Sequence, residues 1–300
     1  MKGQPKVYKS LEIIPEPEWE GLVEELLNNK CTSIIIGATS SGKSTLARYL
    51  IEMLLSKNRV ISFIDSDIGQ SSLGLPGTIT MKVFKTTEDI KDFSADKIFF
   101  IGSLNPAKKI PLMIDGNKKL VDIARTESEI VLVDTTGLIN GEAAKALKTG
   151  KIKALKPDHL IVIQRHNELE HLITLTGGID IHRIKASKMA RGRNREARMR
   201  YRRERFFEYF NEKKVTEFLL YDVDLIYNNQ LIIPKKRDFK EGTLIALNHN
   251  NETKDLGLLL ELDNDSITFI SPIKSVREIN RVVLGDINIE DPLRSCRRES

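Results

Sequence analysis

Thr32-Ser33-Ile34-Ile35-Ile36-Gly37-Ala38-Thr39-Ser40-Ser41-Gly42-Lys43-Ser44-Thr45-Leu46 is the stretch on which the fold turns. A buried-strand pattern over residues 32–36 breaks at Gly37. A helical pattern over 43–57 follows, with Leu46, Leu50, Met53 and Leu54 on one face. Between them, Gly37, Ala38, Thr39, Ser40, Ser41, Gly42, Lys43 and Ser44 satisfy G-x-x-x-x-G-K-[ST] at every fixed position. Each fixed residue has a physical task. The glycines let the loop wrap with its N–H groups inward, and the helix start at Ser44 and Thr45 adds positive potential. Lys43 reaches the outer phosphates, and the Ser44 hydroxyl ligates Mg²⁺. The stretch implies a site for the triphosphate of ATP, or a close relative, with Mg²⁺.

Outward from this loop the alternation of element types continues. Residues 60–64, 97–101, 129–133 and 159–164 read as strands, and 112–126, 142–155 and 168–175 read as helices. Strands without strict alternation, separated by helices, predict an α/β P-loop NTPase fold whose mostly parallel sheet carries helices on both faces. Residues 16–29 read as an amphipathic helix before the first strand. Residues 194–213 read as one long basic helix ending in Phe206, Phe207, Tyr209 and Phe210. Beyond it, residues 215–227, 231–234, 243–247, 257–263 and 266–270 read as short strands joined by Asn, Asp and Gly turns. The predicted organisation is a lead-in segment (1–30), a P-loop domain (31–213) with an Arg-rich lid at 183–205, and a smaller, mainly β domain (214–300).

Composition narrows the class. With 40% hydrophobic and 30% charged residues, the chain can bury a core and is not globally disordered. No apolar run approaches the roughly 20 residues of a membrane helix, and residues 1–10 lack a secretory apolar stretch. Cys31 and Cys296 form neither a disulfide framework nor a metal spacing, which fits a reducing cytosol. A cytoplasmic protein without a membrane partner is therefore expected. Between Arg183 and Arg205, eleven Lys or Arg stand against Glu196 and Glu204, a local balance of +9 in a chain of total +5. The remainder thus carries −4, and the concentrated basicity points to a polyanionic partner.

Two acidic strand ends lie downstream of the loop. Asp65-Ser66-Asp67-Ile68-Gly69-Gln70 closes the second strand, and alternation directs Asp65 and Asp67 to one side. That is the carboxyl end of the sheet, where ligands of open α/β folds bind. A carboxylate there can deprotonate an acceptor hydroxyl while its neighbour holds Mg²⁺ through water; the structural alternative is a pair of turn-forming residues. Val131-Leu132-Val133-Asp134-Thr135-Thr136-Gly137 is a second such end. Asp134 fits an Mg²⁺ shell, and Thr135 and Thr136 fit phosphate or substrate, although Asp is common at strand ends. Beyond Ser44, both Asp65 and Asp134 stay open as metal ligands. Arg191, Arg193, Arg195, Arg198, Arg202 and Arg205 include i, i+3 and i, i+4 neighbours. The preference for Arg over Lys favours bidentate phosphate clamping by a lid; a solvated basic face is the plain alternative.

Taken in order, these motifs resemble the polynucleotide 5′-hydroxyl kinases. The resemblance rests on the P-loop, on residues 65–70 followed by Pro76-Gly77-Thr78, on Thr135-Thr136-Gly137, and on the Arg-rich run ending Glu208-Tyr209-Phe210. That family includes the RNA kinase subunit of the pre-mRNA cleavage complex and the ribosomal-RNA-processing kinases. Lys156-Pro157-Asp158-His159 and Gln164-Arg165 look like its compact archaeal members. The resemblance covers residues 30–213 well and the rest more loosely. It implies ATP·Mg²⁺ on Lys43 and Ser44, and an RNA or DNA partner whose 5′-hydroxyl is activated by Asp67. It also implies Gln70 near the substrate and a clasp at Thr135, Thr136 and Gly137 beside the terminal nucleotide. Arg193 and Arg198 match the lid arginines, and Arg195 and Arg202 continue the basic surface toward the polynucleotide. Some relatives follow the clasp glycine with Trp, where this chain has Leu138. A stacked base is worth about 1–3 kcal/mol, so the grip on the terminal nucleotide is weaker here or comes from elsewhere.

Two rival classes differ in chemistry. The first is a GTPase or ATPase that signals by conformation; the guanine-specificity motif Asn-Lys-x-Asp is absent, and Lys156-Pro157-Asp158, the nearest stretch, does not match it. A nucleotide-bound RNA-processing scaffold with a degenerate site is opposed by the intact Lys43, Ser44 and Asp67.

Overall fold

The computed structural model describes residues 13–173, 177–187, 190, 194–233 and 239–290. The chain begins with α1 (Glu18–Leu27), β1 (Cys31–Gly37), α2 (Lys43–Ser56), β2 (Ile61–Ser66), β3 (Thr78–Phe84) and β4 (Lys97–Phe100). It continues with α3 (Ile110–Glu127), β5 (Ile130–Thr135), α4 (Gly141–Leu155), β6 (His159–Gln164), the one-turn α5 (Glu170–Ile173) and β7 (Asp180–Lys185). Helix α6 (Arg195–Tyr209) then leads into β8 (Lys214–Leu219), β9 (Asp224–Tyr227), β10 (Gln230–Leu231) and β11 (Thr243–His249). The last strands are β12 (Glu252–Leu262), β13 (Ser266–Ser271) and β14 (Arg281–Asn288). Contacts divide the chain into two compact units. One comprises Met1–Asp67, Met81–Asp96 and Asn117–Gly192, and the other Ile68–Thr80, Lys97–Gly116 and Arg193–Ser300.

The first unit holds parallel strands in the order β2–β5–β1–β6–β7. Every residue of β1, β2 and β5 is buried, as non-alternating apolar strands require when both faces are covered. In β1, Ile34 lies opposite Val133 on one side and Leu160 on the other. Helix α1 buries Trp19, Leu22, Val23 and Leu26 at helical spacing, with the Trp19 ring 5.2 Å from that of Tyr49 on α2. Helix α2 buries Leu46, Ala47, Leu50, Ile51, Leu54 and Leu55, while Met53 is only half-buried. Its inward stripe is therefore wider than the expected one and turned away from Met53. Strands β2 and β5 run two residues past the expected ends, so Asp65 and Asp134 lie inside strands rather than in loops. Strand β7 escapes a periodicity reading because, as the end strand, it carries Asp180, His182, Arg183 and Lys185.

The second unit is built on antiparallel pairing. Strands β14, β11, β12 and β4 follow one another, β13 and β8 extend from β12, and only β9 joins β14 in parallel. The strand expected at residues 97–101 forms at Lys97–Phe100 and pairs antiparallel with β12, not in the parallel manner expected. Lys97 pairs with Glu252 at 2.9 Å, and Phe100 enters the core of the β-rich unit. The two faces of β11 are both covered, as alternation along the strand shows. Leu244 and Ala246 pack with Leu256, Leu258 and Ile287, whereas Ile245 and Leu247 pack with Leu259, Phe269 and Val282. The first of these clusters also receives Phe206 and Phe210, so the aromatic end of α6 is a core element of this unit. The Tyr209 hydroxyl donates to the Asp255 carboxylate, and burial next to that carboxylate pushes the phenol well above its usual range.

Phe210 is 1% exposed. Phe210→Ala is expected to destabilise the protein by about 3–5 kcal/mol, read by urea denaturation. A loss below about 1 kcal/mol would mean that α6 is not anchored through this ring.

Candidate active site

The phosphate loop is formed where β1 ends. Gly42 has φ of 100°, a left-handed value at which a side chain is strained, and it turns the chain into α2. Lys43 is buried and its Nζ donates to the Ala38 carbonyl at 2.9 Å, closing the loop. Ser44 Oγ donates to Asp134 Oδ2 at 2.6 Å, so the first turn of α2 is tied to the end of β5. Gly37, Ala38, Thr39, Ser40, Ser41, Gly42, Lys43, Ser44 and Thr45 are thereby contiguous around the helix N-terminus, as expected.

The acidic residues converge through sheet register. Asp65 of β2 stands opposite Asp134 of β5, and Asp134 stands opposite Ile35 of β1. Both carboxylates are fully buried. Asp67, one residue beyond β2, is half-buried, and its N–H donates to Asp65 Oδ1 at 3.0 Å. Strand alternation therefore does not set the relation of Asp65 to Asp67; a turn closed by the Asp65 side chain does. Burial pushes the Asp134 carboxyl up to about 7. The Lys43 ammonium opposes that rise, and the neighbouring charges of Asp65 and Asp67 add to it.

The segment after β5 lies against the phosphate loop. A Cβ on Gly137 would stand 2.6 Å from both N and Cα of Thr39, so only glycine permits this approach. The Thr135 hydroxyl donates to the Ile35 carbonyl at 2.8 Å, and its oxygen accepts from Lys148 Nζ at 2.6 Å. That side chain is committed inside the protein. Thr136 Oγ1 is buried without a partner among the described residues, and the Thr136 carbonyl also accepts from Lys148 Nζ at 2.6 Å.

Lys148 and Lys151 belong to no recognised motif, yet both are fully buried. A signal for them exists in α4, whose inward positions are Ala144, Leu147, Lys148, Lys151, Ile152 and Leu155. Two lysines in an apolar stripe contradict the helix's own pattern. Lys151 Nζ donates to Ser66 Oγ at 2.5 Å, and Asn117 Nδ2 donates to the same oxygen at 2.9 Å.

Mg²⁺ is a hard cation that takes oxygen ligands, usually through one or two carboxylates. Ser44 Oγ and Asp134 offer a hydroxyl and a carboxylate already in contact. Asp134 Oδ1 is buried with no hydrogen-bond partner among the described residues, which an ion or its water would satisfy. The residues fit such an ion.

The remaining predicted residues fall in the second unit or outside the described residues. Arg193 lies outside them, as do Arg191 and Cys296. Arg195 is exposed in the first turn of α6, where the Asn194 side chain caps the helix by accepting from Ala197 N at 2.8 Å. Arg198 and Arg202 are half-buried one turn apart. Burial and the Arg198 charge lower the Arg202 guanidinium, a pairing of cations that favours an anion between them. Arg205 instead donates to the Gly74 carbonyl at 2.9 Å, and the Tyr201 hydroxyl donates to the Ser71 carbonyl at 2.7 Å. Those bonds hold the segment that follows Gln70. Asp158 and Lys156 are structural: Asp158 Oδ2 accepts from Thr32 N at 2.7 Å, and Lys156 takes a left-handed φ of 45° at the end of α4.

Comparison with known proteins agrees with this geometry. Residues 37–212 match the family model described as mRNA cleavage and polyadenylation factor CLP1 P-loop. A polyribonucleotide 5′-hydroxyl-kinase of Pyrococcus abyssi is 37% identical over 203 residues, covering 66% of this chain and 56% of that protein. One of Methanocaldococcus jannaschii is 35% identical over 221 residues, covering 73% and 61%. The chain thus spans under two thirds of the length of these relatives. The solved wild-type Clp1p–Pcf11p complex contains a chain of the same fold, with a TM-score of 0.69 at 13% identity over 90% of this chain and 79% of that one. No helix among the described residues is long and apolar enough to cross a membrane.

Two outcomes follow from the buried contacts. Below about pH 4, Asp134 is protonated in the folded and unfolded chains alike. As pH rises, the unfolded chain releases this proton first, so stability falls until the folded carboxyl ionises near 7. Asp134→Asn should flatten this fall in urea titrations without nucleotide or divalent ion, and an unchanged slope would assign the fall to other groups. Gly137→Ala should raise the Kd for ATP about tenfold, equivalent to ~1.4 kcal/mol, by pushing on Thr39. Wild-type affinity in a nucleotide titration would show that the loop yields without loss.

Proposed function

The chain belongs to the mRNA cleavage and polyadenylation factor CLP1 P-loop family, and on that premise we propose that it transfers the γ-phosphoryl group of ATP to the 5′-hydroxyl of RNA. The observation that carries the reading is the meeting of Lys43 and Ser44 with Asp65, Asp67 and Asp134 at the carboxyl end of one parallel sheet. A phosphate cradle alone suits many nucleotide-binding proteins. The less buried carboxylate of Asp67, fixed beside it by the Asp65 turn, adds a group able to take a proton from an acceptor.

In the proposed reaction the 5′-oxygen forms a bond to the γ-phosphorus, the bond from that phosphorus to the β,γ-bridging oxygen breaks, and ADP leaves. The 5′-hydroxyl proton passes to the Asp67 carboxylate. Lys43 turns from Ala38 to the outer phosphates, and the loop N–H groups hold the triphosphate in line. Ser44 and Asp134 would hold Mg²⁺, with Asp65 behind them. The bound ion supplies charge neutralisation at the β- and γ-phosphates. Arg193 and Arg198, as lid arginines, would supply cations for the transferring group, and Arg195 and Arg202 would supply them for the polynucleotide. Gln70 is assigned a contact with the substrate. Thr136 and Gly137 form the clasp, with Thr135 as its buried anchor. The Arg-rich composition of α6 suits an RNA partner, and the reading extends to DNA ends if the 2′-hydroxyl is not contacted.

The test is transfer from γ-labelled ATP to RNA and DNA oligonucleotides bearing a 5′-hydroxyl, beside 5′-phosphorylated controls. Label confined to the 5′-hydroxyl oligomers supports the kinase, and protein that binds ATP yet labels none removes it. Lys43→Ala should abolish transfer, and Asp67→Ala should abolish it while ATP still binds. Arg198→Ala should lower turnover by about 10²–10³-fold with nucleotide affinity kept. A pure loss of oligonucleotide affinity in Arg198→Ala would make that residue a docking contact instead.

A further inference from the structure

Helix α4 places two ammonium groups where the fold gives them no solvent. Lys148 and Lys151 are each 1% exposed. They are three residues apart, on the face that also buries Ala144, Leu147, Ile152 and Leu155. A lysine in such a stripe forgoes hydration that methionine or leucine would not need, so its retention calls for a task.

The partners are specific. Lys148 Nζ reaches the Thr135 hydroxyl and the Thr136 carbonyl, both at 2.6 Å, at the end of β5. Lys151 Nζ reaches Ser66 Oγ at 2.5 Å, at the end of β2 between Asp65 and Asp67. Ser66 and Thr135 are themselves neighbours in the β2–β5 register. One helix face therefore grips the two adjacent strand ends from which the acidic residues and the Thr136–Gly137 segment emerge.

We propose that Lys148 and Lys151 are positioning residues that brace the two sides of the active site: Lys148 fixes the clasp at Thr135, Thr136 and Gly137, and Lys151 fixes the Ser66 turn that presents Asp67 to the acceptor hydroxyl. Neither touches a reacting atom. The inference rests on the kinase reading above. It assigns a separate kinetic consequence to each lysine, because one holds a binding element and the other a chemical one.

Burial drives both ammonium groups down, Lys148 well below the usual lysine range and Lys151 to about 7. The charges of Asp67 and Asp134 oppose that fall in both lysines, and the Asp65 charge does so for Lys151. Lys43 and Lys151 push Lys148 further down. The lysines and the acidic cluster thus form one electrostatic unit, in which displacement of one member is felt by the others.

The experiment compares wild type, Lys148→Met and Lys151→Met in steady-state transfer from ATP to a 5′-hydroxyl RNA oligonucleotide, with ATP affinity and thermal melting measured in parallel. Lys148→Met should raise KM for the oligonucleotide about tenfold with kcat within about twofold of wild type. Lys151→Met should lower kcat about tenfold or more with both KM values within about twofold, because a misplaced base costs chemistry rather than binding. ATP affinity should stay at the wild-type value in both. Should a methionine variant fail to fold, Lys148→Gln and Lys151→Gln keep a donor of shorter reach and should show the same split in weaker form. Folded variants with wild-type KM and kcat overturn the brace, as do losses that fall equally on both parameters and on ATP affinity. A wild-type protein that labels no oligonucleotide removes the kinase reading and the brace together. A wild type that transfers beside variants that match it removes the brace alone.

Discussion

Removal of charge from water is the constraint on which this structure depends. Lys43, Asp65, Asp134, Lys148 and Lys151 are all buried, with only Asp67 of the group half-exposed. An isolated buried charge is too costly to keep, so each member needs the others close by and hydrogen-bonded. The β2–β5 register sets Asp65 beside Asp134, the Ser44 hydroxyl ties Asp134 to α2, and α4 delivers its lysines to the same strand ends. A slip in any of these contacts would leave a charge unpaired in a medium of low dielectric. Burial accounts for the raised Asp134 carboxyl and the lowered lysines. The cluster beside the glycine-rich loop thus consists of mutually dependent groups.

Much of the basic helix is architectural. Its aromatic end is core, with Phe206 and Phe210 among Leu244, Leu256 and Leu258. Arg205 and Tyr201 bind backbone carbonyls of the segment after Gln70. Arg198 and Arg202 stand one turn apart, and burial and the Arg198 charge lower the Arg202 guanidinium. A helix anchored at one end and cationic at the other can present charge without ordering a whole loop each time a substrate binds. Within one stripe of like charge, the tertiary partners alone mark Arg205 as a structural arginine.

Much of the fold was legible because its strands are buried on both faces and its first helix is amphipathic. The strand–loop–helix of residues 32–57 and the strand core of 129–133 are legible for that reason. Strand β7 was not legible, since an end strand needs no apolar face, and the antiparallel pairing of residues 97–100 with β12 was not, because a short apolar run carries no information about its partner. The Asp65–Asp67 pair was located correctly but by the wrong geometry, because β2 stops at Ser66 and a side-chain-closed turn follows. Thr135 was read as facing substrate, whereas its hydroxyl is committed to Ile35 and Lys148.

The sequence by itself determined the phosphate loop, the acidic strand ends and the parallel α/β core. Those depend on local conformation: a left-handed glycine, a helix start, and apolar runs whose period does not require knowledge of what lies across the sheet. Only the tertiary structure decided which charges are withdrawn from water and what satisfies them. Lys148 and Lys151 interrupt the apolar stripe of α4, but what satisfies them appears only once α4 is laid against β2 and β5. Arg205 looks like Arg202 until its carbonyl partner is in place. Burial and pairing are long-range properties, fixed by segments distant along the chain, and a pattern read along the chain does not contain them.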